Sequence, residues 1–574
     1  MTAFARDRVE NAGLPRVRSA MALEWARTRR RLTAINPYDF GSLVLLALLS
    51  ILVLATFRDY AITNDEWVQQ RYGELIVAYY KSGFSDRSVF EFDNLYLYGG
   101  LFDVAAVLLH QVSTLDLFDL RHLMSATIGV AGVGAAIATA RMIAGPRAGL
   151  LAGMALAVCG SWYGAMFHHT KDIPLGAAMA GALYFLIRAA RDCPRPQLRH
   201  VVGFGVLTGA ALGIKVLALL LVCYIGVAVV LNMPDPSGRP WRELGGHFAR
   251  SLAGFVPALL IAYAIMILTW PWSALAPLNP LRGLLSFGDF HYPIRTILAG
   301  QVYLMATVPR WYIPAYLAIR TPLLMLAGAA LALIAMAVPR LSRGVSGRVR
   351  RDTAVVAVAA LVPVLCEIVV RGPAFCGLRH FLYVLPPLAM LAGIGLDLAA
   401  KAIARRHVAL GGLTMGLIAV GLSWNAVTLS RLHPYEYLYY NQLVGGLKGA
   451  SRNYVTDYWF TMMPEAVDGL EAYLARTDPP AARGQTYTVS LCGERAAFLR
   501  KAPPHLRWAQ TWETSDFFIA PTHMNCDRDI DAKIAVTVAR LGVAIGYVKD
   551  QRAKTRAPHG LKISANIPPA VLVP

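Results

Sequence analysis

The chain has 574 residues, of which 56% are hydrophobic and only 16% charged. An average soluble domain carries about a quarter of its residues as charges, so this composition excludes an ordinary soluble protein. The formal net charge is +20, but Lys and Arg cluster in short loops between apolar runs. That is the footprint of the positive-inside rule, and no nucleic-acid partner is expected.

Apolar runs of membrane-spanning length recur from Gly41 to Leu429. Residues 1–39 form a basic segment (RVRSAMALEWARTRRRL) with no small-residue cleavage site, read as a cytoplasmic lead-in to a retained helix. The first span is expected at about Phe40–Phe57. A polar stretch follows with Asp65, Glu66, Asp86, Glu91 and Asp93, then a short apolar segment, Leu95–His110, broken by Gly99, Gly100 and Asp103. If that segment crossed the bilayer, the Arg141/Arg147 loop would face outward. If it lies along the outer surface, those arginines fall inside, and the charge rule favours this second reading.

Further spans are expected at Leu123–Ile143, Leu150–Phe167 and Leu175–Ala190, then as two short helices within Val201–Leu231 with Lys215 at their outer apex. Others follow at Leu252–Trp270, Pro314–Ala337, Ala354–Val370, Phe381–Ala399 and Gly411–Leu429. About eleven spans result, with large outer loops at 58–122 and 271–312. The Pro339–Arg351 loop, with five arginines, is cytoplasmic in this scheme. The domain plan is therefore 1–39, a transmembrane domain 40–430, and a tail 431–574 on the outer side.

The tail carries strand-like runs TYTVSL, DFFIAP and VAIGYV and helical patterns at Met462–Leu474 and Ala532–Leu541, which suggests a small α/β domain. Its two cysteines, Cys492 and Cys526, are either a disulfide in an oxidising compartment or two buried thiols.

Three polar groups fall on the outer face: Asn64-Asp65-Glu66; His168-His169-Thr170-Lys171-Asp172; and a scattered set of Lys215, Arg310-Trp311-Tyr312, Arg371 and Arg379-His380. A carboxylate there suits a general base or a divalent-cation ligand. Lys and Arg suit a phosphate, and Trp and Tyr stack on sugars or anchor at headgroups. Taken singly, each group also reads as structure: a helix cap at Asp65 or Asp172, a snorkelling Arg379, a belt aromatic at Trp311. Their shared face favours an amphiphilic substrate with a phosphate head.

Four motifs, NDE, HHTKDIP, RWYIPAYLAIRTPL and LRHFLYVLPPLA, resemble the GT-C superfamily of integral-membrane glycosyltransferases. The likeness is to the bacterial branch related to protein O-mannosyltransferases and lipid A aminoarabinose transferases, and it covers most of Phe40–Leu429. It implies a GT-C-like helical fold and transfer of a sugar from a polyprenyl-phosphate carrier to an acceptor hydroxyl, with inversion. The acceptor is a lipid, a polysaccharide or a protein. The resemblance also implies Asp65, with Glu66 beside it and Asp172 near the same centre, as the catalytic carboxylates, and Lys171, Arg310 and Arg379 as cations for the carrier phosphate; the outer-face chemistry adds Lys215, Trp311, Tyr312 and His380 to the substrate-binding set. A divalent cation (Mg, Mn or Zn) would sit on Asp65, Asp172, His168 and His169, although the wider family does not require the two histidines. The expected location is a bacterial inner membrane with a periplasmic C-terminal domain. A transporter or lipid flippase is the alternative; it would place charges at mid-membrane and carry inverted repeats, and neither is evident.

Overall fold

The computed structural model describes residues 36–286, 293–338, 345–370, 372, 374–478, 484–493 and 495–555. Most of the basic lead-in, Arg371 and parts of the second outer loop and of the arginine-rich loop lie outside the described residues. The chain divides into two compact units: Met1–Tyr60 with Asp65–Val455, and Ala61–Asn64 with Thr456–Pro574.

The first unit is helical. In chain order it contains α1 (Pro37–Thr56), α2 (Asn64–Lys81), α3 (Leu101–His110), α4 (Leu117–Ala144), α5 (Pro146–Ala157), α6 (Asp172–Ala190), α7 (Leu198–Leu212) and α8 (Leu220–Leu231). It continues with α9 (Trp241–Ala253), α10 (Val256–Thr269), α11 (Asn279–Ser286), a hairpin of β1 (Arg295–Leu298) and β2 (Gln301–Leu304), and α12 (Tyr312–Arg320). Last come α13 (Leu323–Ala337), α14 (Gly347–Val370), α15 (Leu385–Ala404) and α16 (Val408–Leu432). Among the described residues seven helices are long and apolar enough to cross a membrane, or nine if each of two bent pairs is one span. The protein is a polytopic membrane protein.

The remaining difference from the expected eleven is the pair α7 and α8, of 15 and 12 residues, each short for a full crossing. Lys215 lies between them, as the sequence suggests. The ten-residue α3 is about 15 Å long, half the hydrocarbon thickness, so it does not span.

Burial separates central from peripheral spans. Only 17% of the most apolar window of α1 is buried in the protein, against 94% for the segment Arg379–Ala404. Helix α15 is thus the centre, packed on α13, α5, α4, α16 and α14. Small residues permit that approach: a Cβ on Gly395 would collide with the backbone of Gly328 and stand 2.6 Å from the amide nitrogen of Ala332 on α13.

Two expected spans are broken, and Leu150–Phe167 is one of them, with a 66° bend between Pro146–Ala157 and Gly160–Met166. The run Pro314–Ala337 bends by 115° between α12 and α13, at Thr321-Pro322, because Pro322 lacks an N–H and disfavours helix in the residue before it. The exposed carbonyls at this corner are met by Asn441, whose Nδ2 donates to Ala318 O (2.6 Å) and Thr321 O (2.8 Å), and whose N–H donates to Ile319 O (2.9 Å). The segment after α16 therefore packs with the helical unit as far as Val455, further than the sequence boundary at residue 430.

The second unit holds helix α17 (Met463–Thr477) and a five-stranded sheet of β3 (Tyr487–Leu491), β4 (Leu506–Trp508), β5 (Phe517–Pro521), β6 (Lys533–Arg540) and β7 (Val543–Asp550), in the order β4-β3-β5-β7-β6. Strands β4, β3 and β5 are parallel; β6 and β7 are antiparallel additions. The expected helix at Ala532–Leu541 is instead strand β6. Its KIAVTVAR sequence is rich in β-branched residues, and Leu541-Gly542, both with positive φ, turns it back onto β7. Cys492 and Cys526 are joined by a disulfide.

Candidate active site

Asp65 stands in the first turn of α2, where the helix dipole favours a carboxylate. Its Oδ2 accepts from the Arg379 guanidinium, whose Nε also donates to Asp172 Oδ2 at 3.3 Å. Asp172, which opens α6, accepts from Lys215 on its other oxygen. One guanidinium thus ties two carboxylates that lie 314 and 207 residues before it in the chain. The Asp65 side chain is 38% exposed and that of Asp172 only 5%, so an approaching hydroxyl can reach Asp65 alone.

Lys171 adjoins this cluster. It is buried, with Nζ 4.4 Å from the ring centre of Tyr98 and 5.9 Å from that of Tyr72, and no carboxylate oxygen lies within ion-pair distance among the described residues. Burial pushes its ammonium down to about 8, against the pull of Asp103 and Asp65.

A fully buried polar layer holds these pieces in place. Arg121 Nη2 donates to Asp103 (2.7 Å), Thr170 Oγ1 (3.2 Å) and Gln69 (3.4 Å), and Nη1 donates to Gln70 (3.1 Å). Thr170 in turn donates to Gln69 at 2.5 Å. The helix bearing Asp65 is thereby fastened to the loop bearing Lys171 and Asp172. Gly73 allows α2 to lie against α3, since a Cβ there would be 2.7 Å from the Asp103 carbonyl oxygen.

The other expected residues are placed as follows. Glu66 turns inward to His122, 3.0 Å away. His168 and His169 face each other through Nδ1 at 3.1 Å. Burial holds both neutral, pushing His169 down to about 3 and His168 well below its usual value. His380 packs on Phe375 with ring centres 4.6 Å apart. Arg310 and Trp311 are exposed, whereas Tyr312 is buried. The Tyr312 hydroxyl bonds Thr296 (2.6 Å) and accepts from the Gly377 N–H (2.9 Å), so it braces the loop that leads to Arg379.

The expected metal donors do not converge. Among the described residues no three of His, Cys, Asp or Glu group to hold a cation. The reason is physical: an ammonium and a guanidinium already stand where a divalent ion would meet Asp65 and Asp172, and the two imidazoles are turned on each other.

Three features escaped sequence reading. Arg121 and Asp103 are one; a cation inside an apolar run was their signal. The second is a cluster in which His433 bridges Asp59 (3.0 Å) and the buried Glu436 (2.8 Å), while the Tyr60 hydroxyl donates to Glu436. The third is Arg320, 3% exposed at the α12–α13 corner, with no carboxylate within ion-pair distance among the described residues. It lies inside the motif RWYIPAYLAIRTPL.

Residues 111–272 match the dolichyl-phosphate-mannose-protein mannosyltransferase family. Arg121, Lys171, Asp172 and Lys215 fall inside that stretch; Asp65 and Arg379 fall outside it. No curated protein matches the chain significantly. Among solved structures, ArnT from Cupriavidus metallidurans in the apo state aligns at 15% identity and TM-score 0.46, over 91% of this chain and 99% of its own. ArnT bound to undecaprenyl phosphate aligns over 90% and 99%, with TM-score 0.44. The archaeal oligosaccharyltransferase AglB from Archaeoglobus fulgidus, in complex with an inhibitory peptide and a dolichol-phosphate, aligns at 11% identity over 84% and 69%, with TM-score 0.41.

Proposed function

We propose that the protein is a GT-C-type glycosyltransferase that moves a sugar from a polyprenyl-phosphate carrier to an acceptor hydroxyl at the outer face of a bacterial inner membrane. The observation that carries the reading is the meeting of Asp65, Asp172, Arg379 and Lys215 at the ends of membrane helices, with Asp65 alone open to an acceptor. The family match over residues 111–272, whose name specifies a lipid-phosphate-linked mannose donor, supports the same class. The disulfide in the C-terminal unit supports an oxidising compartment for that unit.

In this mechanism the carrier phosphate lies against Lys171, Lys215 and Arg379. Asp65, paired with Arg379, takes the proton of the acceptor hydroxyl. The oxygen forms a bond to the anomeric carbon, the bond from that carbon to the phosphate oxygen breaks with its electron pair, and the configuration inverts. The cations stabilise the departing phosphate. Asp172 is a positioning residue, holding Lys215 and Arg379 on the phosphate.

The test is release of label from radiolabelled polyprenyl-phosphate sugars by the reconstituted protein and by Asp65→Asn. Release that depends on Asp65 supports the reading; release that Asp65→Asn leaves unchanged defeats it.

A further inference from the structure

Arg320 poses a problem of charge. It is buried at the corner between α12 and α13, and its Nε has no hydrogen-bond partner. Its guanidinium lies over the Tyr440 ring at 5.0 Å, and the Tyr440 hydroxyl donates to Val455 O. A neutral ring compensates a desolvated cation less well than an anion does.

Its place ties it to the site. A Cβ on Gly377, two residues before Arg379, would lie 3.5 Å from Arg320 Nη1. Gly377 has φ of +67°, and the same Cβ would stand 3.3 Å from the Tyr316 ring, so the turn that carries Arg379 packs against Tyr316 and the Arg320 guanidinium together. His169 lies within electrostatic reach of Asp172, Arg379, Arg320 and Lys215 together. Among the described residues Lys171, Lys215, Arg320 and Arg379 lie in this region with Asp65 and Asp172, and the Arg121–Asp103 pair adjoins them, Asp103 being the carboxylate that pulls most on Lys171. Glu66 turns away from this group to His122. Cations outnumber carboxylates among these described residues, and Arg320 has no carboxylate paired to it.

We infer that this excess is matched to a phosphate monoester dianion, and that Arg320 is the cation that receives the second negative charge. The inference rests on the transferase reading. In that reaction the donor is a phosphodiester with one negative charge. When the anomeric C–O bond breaks, its electron pair stays on the phosphate oxygen, the acceptor proton goes to Asp65, and the carrier leaves as a monoester. Its second ionisation has a pKa of about 6, so the leaving group is largely a dianion at neutral pH. An arginine that engages only that added charge strengthens binding in the transition state and product more than in the donor complex.

The test uses two probes with one prenyl chain: farnesyl monophosphate and its methyl phosphodiester. Their affinities for the detergent-solubilised full chain are measured by thermophoresis at pH 7.5 and pH 5. The wild type should prefer the monoester by about tenfold or more at pH 7.5, and lose that preference at pH 5, where the monoester carries a single charge. Arg320→Gln should weaken the monoester about tenfold and the diester less than threefold, and Arg320→Lys should restore most of the difference. Should Arg320→Gln fail to fold, Gly377→Ala adds a methyl against Tyr316 and Arg320 Nη1 and should also reduce the preference. No preference in the wild type at pH 7.5, or a preference that these variants leave unchanged, overturns the inference. Binding needs no sugar transfer, so these results stand apart from the Asp65 turnover assay, whose failure alone would defeat only the transferase reading.

Discussion

Glu66 and His122 meet at 3.0 Å with both side chains buried, while Asp65, one residue earlier on the same helix, reaches Arg379. Successive helical residues point about 100° apart, so the adjacent carboxylates serve different surroundings. Asp65→Asn should lower turnover by about 10²-fold or more with little change in thermal stability. Glu66→Gln should instead lower stability, by roughly 1–3 kcal/mol for a disturbed buried hydrogen bond, and keep turnover per folded molecule within a few fold. Paired melting and single-turnover measurements separate the two. Equal turnover losses would put Glu66 in the chemistry after all.

Arg121 is the link between Asp103 and the loop before Lys171. Replacing it by Met leaves Asp103 buried without its counter-charge, at a cost of about 3–5 kcal/mol. Asp103→Asn with Arg121→Met should recover part of this loss. A double-mutant cycle on melting temperature reads the coupling, and purely additive effects would count against it.

The pH dependence of Lys171 has a definite sign. Its folded value, about 8, lies below the usual lysine value of 10.5. Between these pH values the unfolded chain holds a proton that the folded chain lacks, so this group makes folding more favourable as pH rises through that window. Phosphate binding runs the other way: it needs the ammonium and should weaken as pH rises through about 8. Lys171→Met should raise the melting temperature at pH 7 and weaken binding of prenyl phosphate. Both follow from thermal melts and binding titrations between pH 6.5 and 9.5, and a melting temperature lowered by Lys171→Met would contradict the sign.

The disulfide closes a loop across a sequence separation of 34, for which chain-entropy arguments give about 3–4 kcal/mol. Cys492→Ser should destabilise the C-terminal unit by an amount of that order. A maleimide gel-shift on protein unfolded without reductant should label neither Cys492 nor Cys526. Labelling of both would show that they are thiols in the cell.

Much of the helical unit was legible from local pattern. Lys215 between two short helices, a non-spanning Leu95–His110, and Asp65 and Asp172 at helix starts all follow from apolar length and charge position. The same reading misassigned Ala532–Leu541, because a short run such as KIAVTVAR fits helix and strand alike until β7 offers it a partner. It also missed the break at Thr321-Pro322, since hydropathy passes through a corner unchanged.

The sequence by itself determined which segments are apolar and long enough to enter a membrane, and which polar residues lie at their ends, because both are properties of consecutive residues. Only the tertiary structure decided which charges meet. Arg379 could join Asp65 and Asp172 only after α2, α6 and the turn before α15 had packed, and Gly377 let that turn pack against Tyr316 and Arg320. An ion pair between residues hundreds of positions apart is set by packing in three dimensions, and no periodicity along the chain records it.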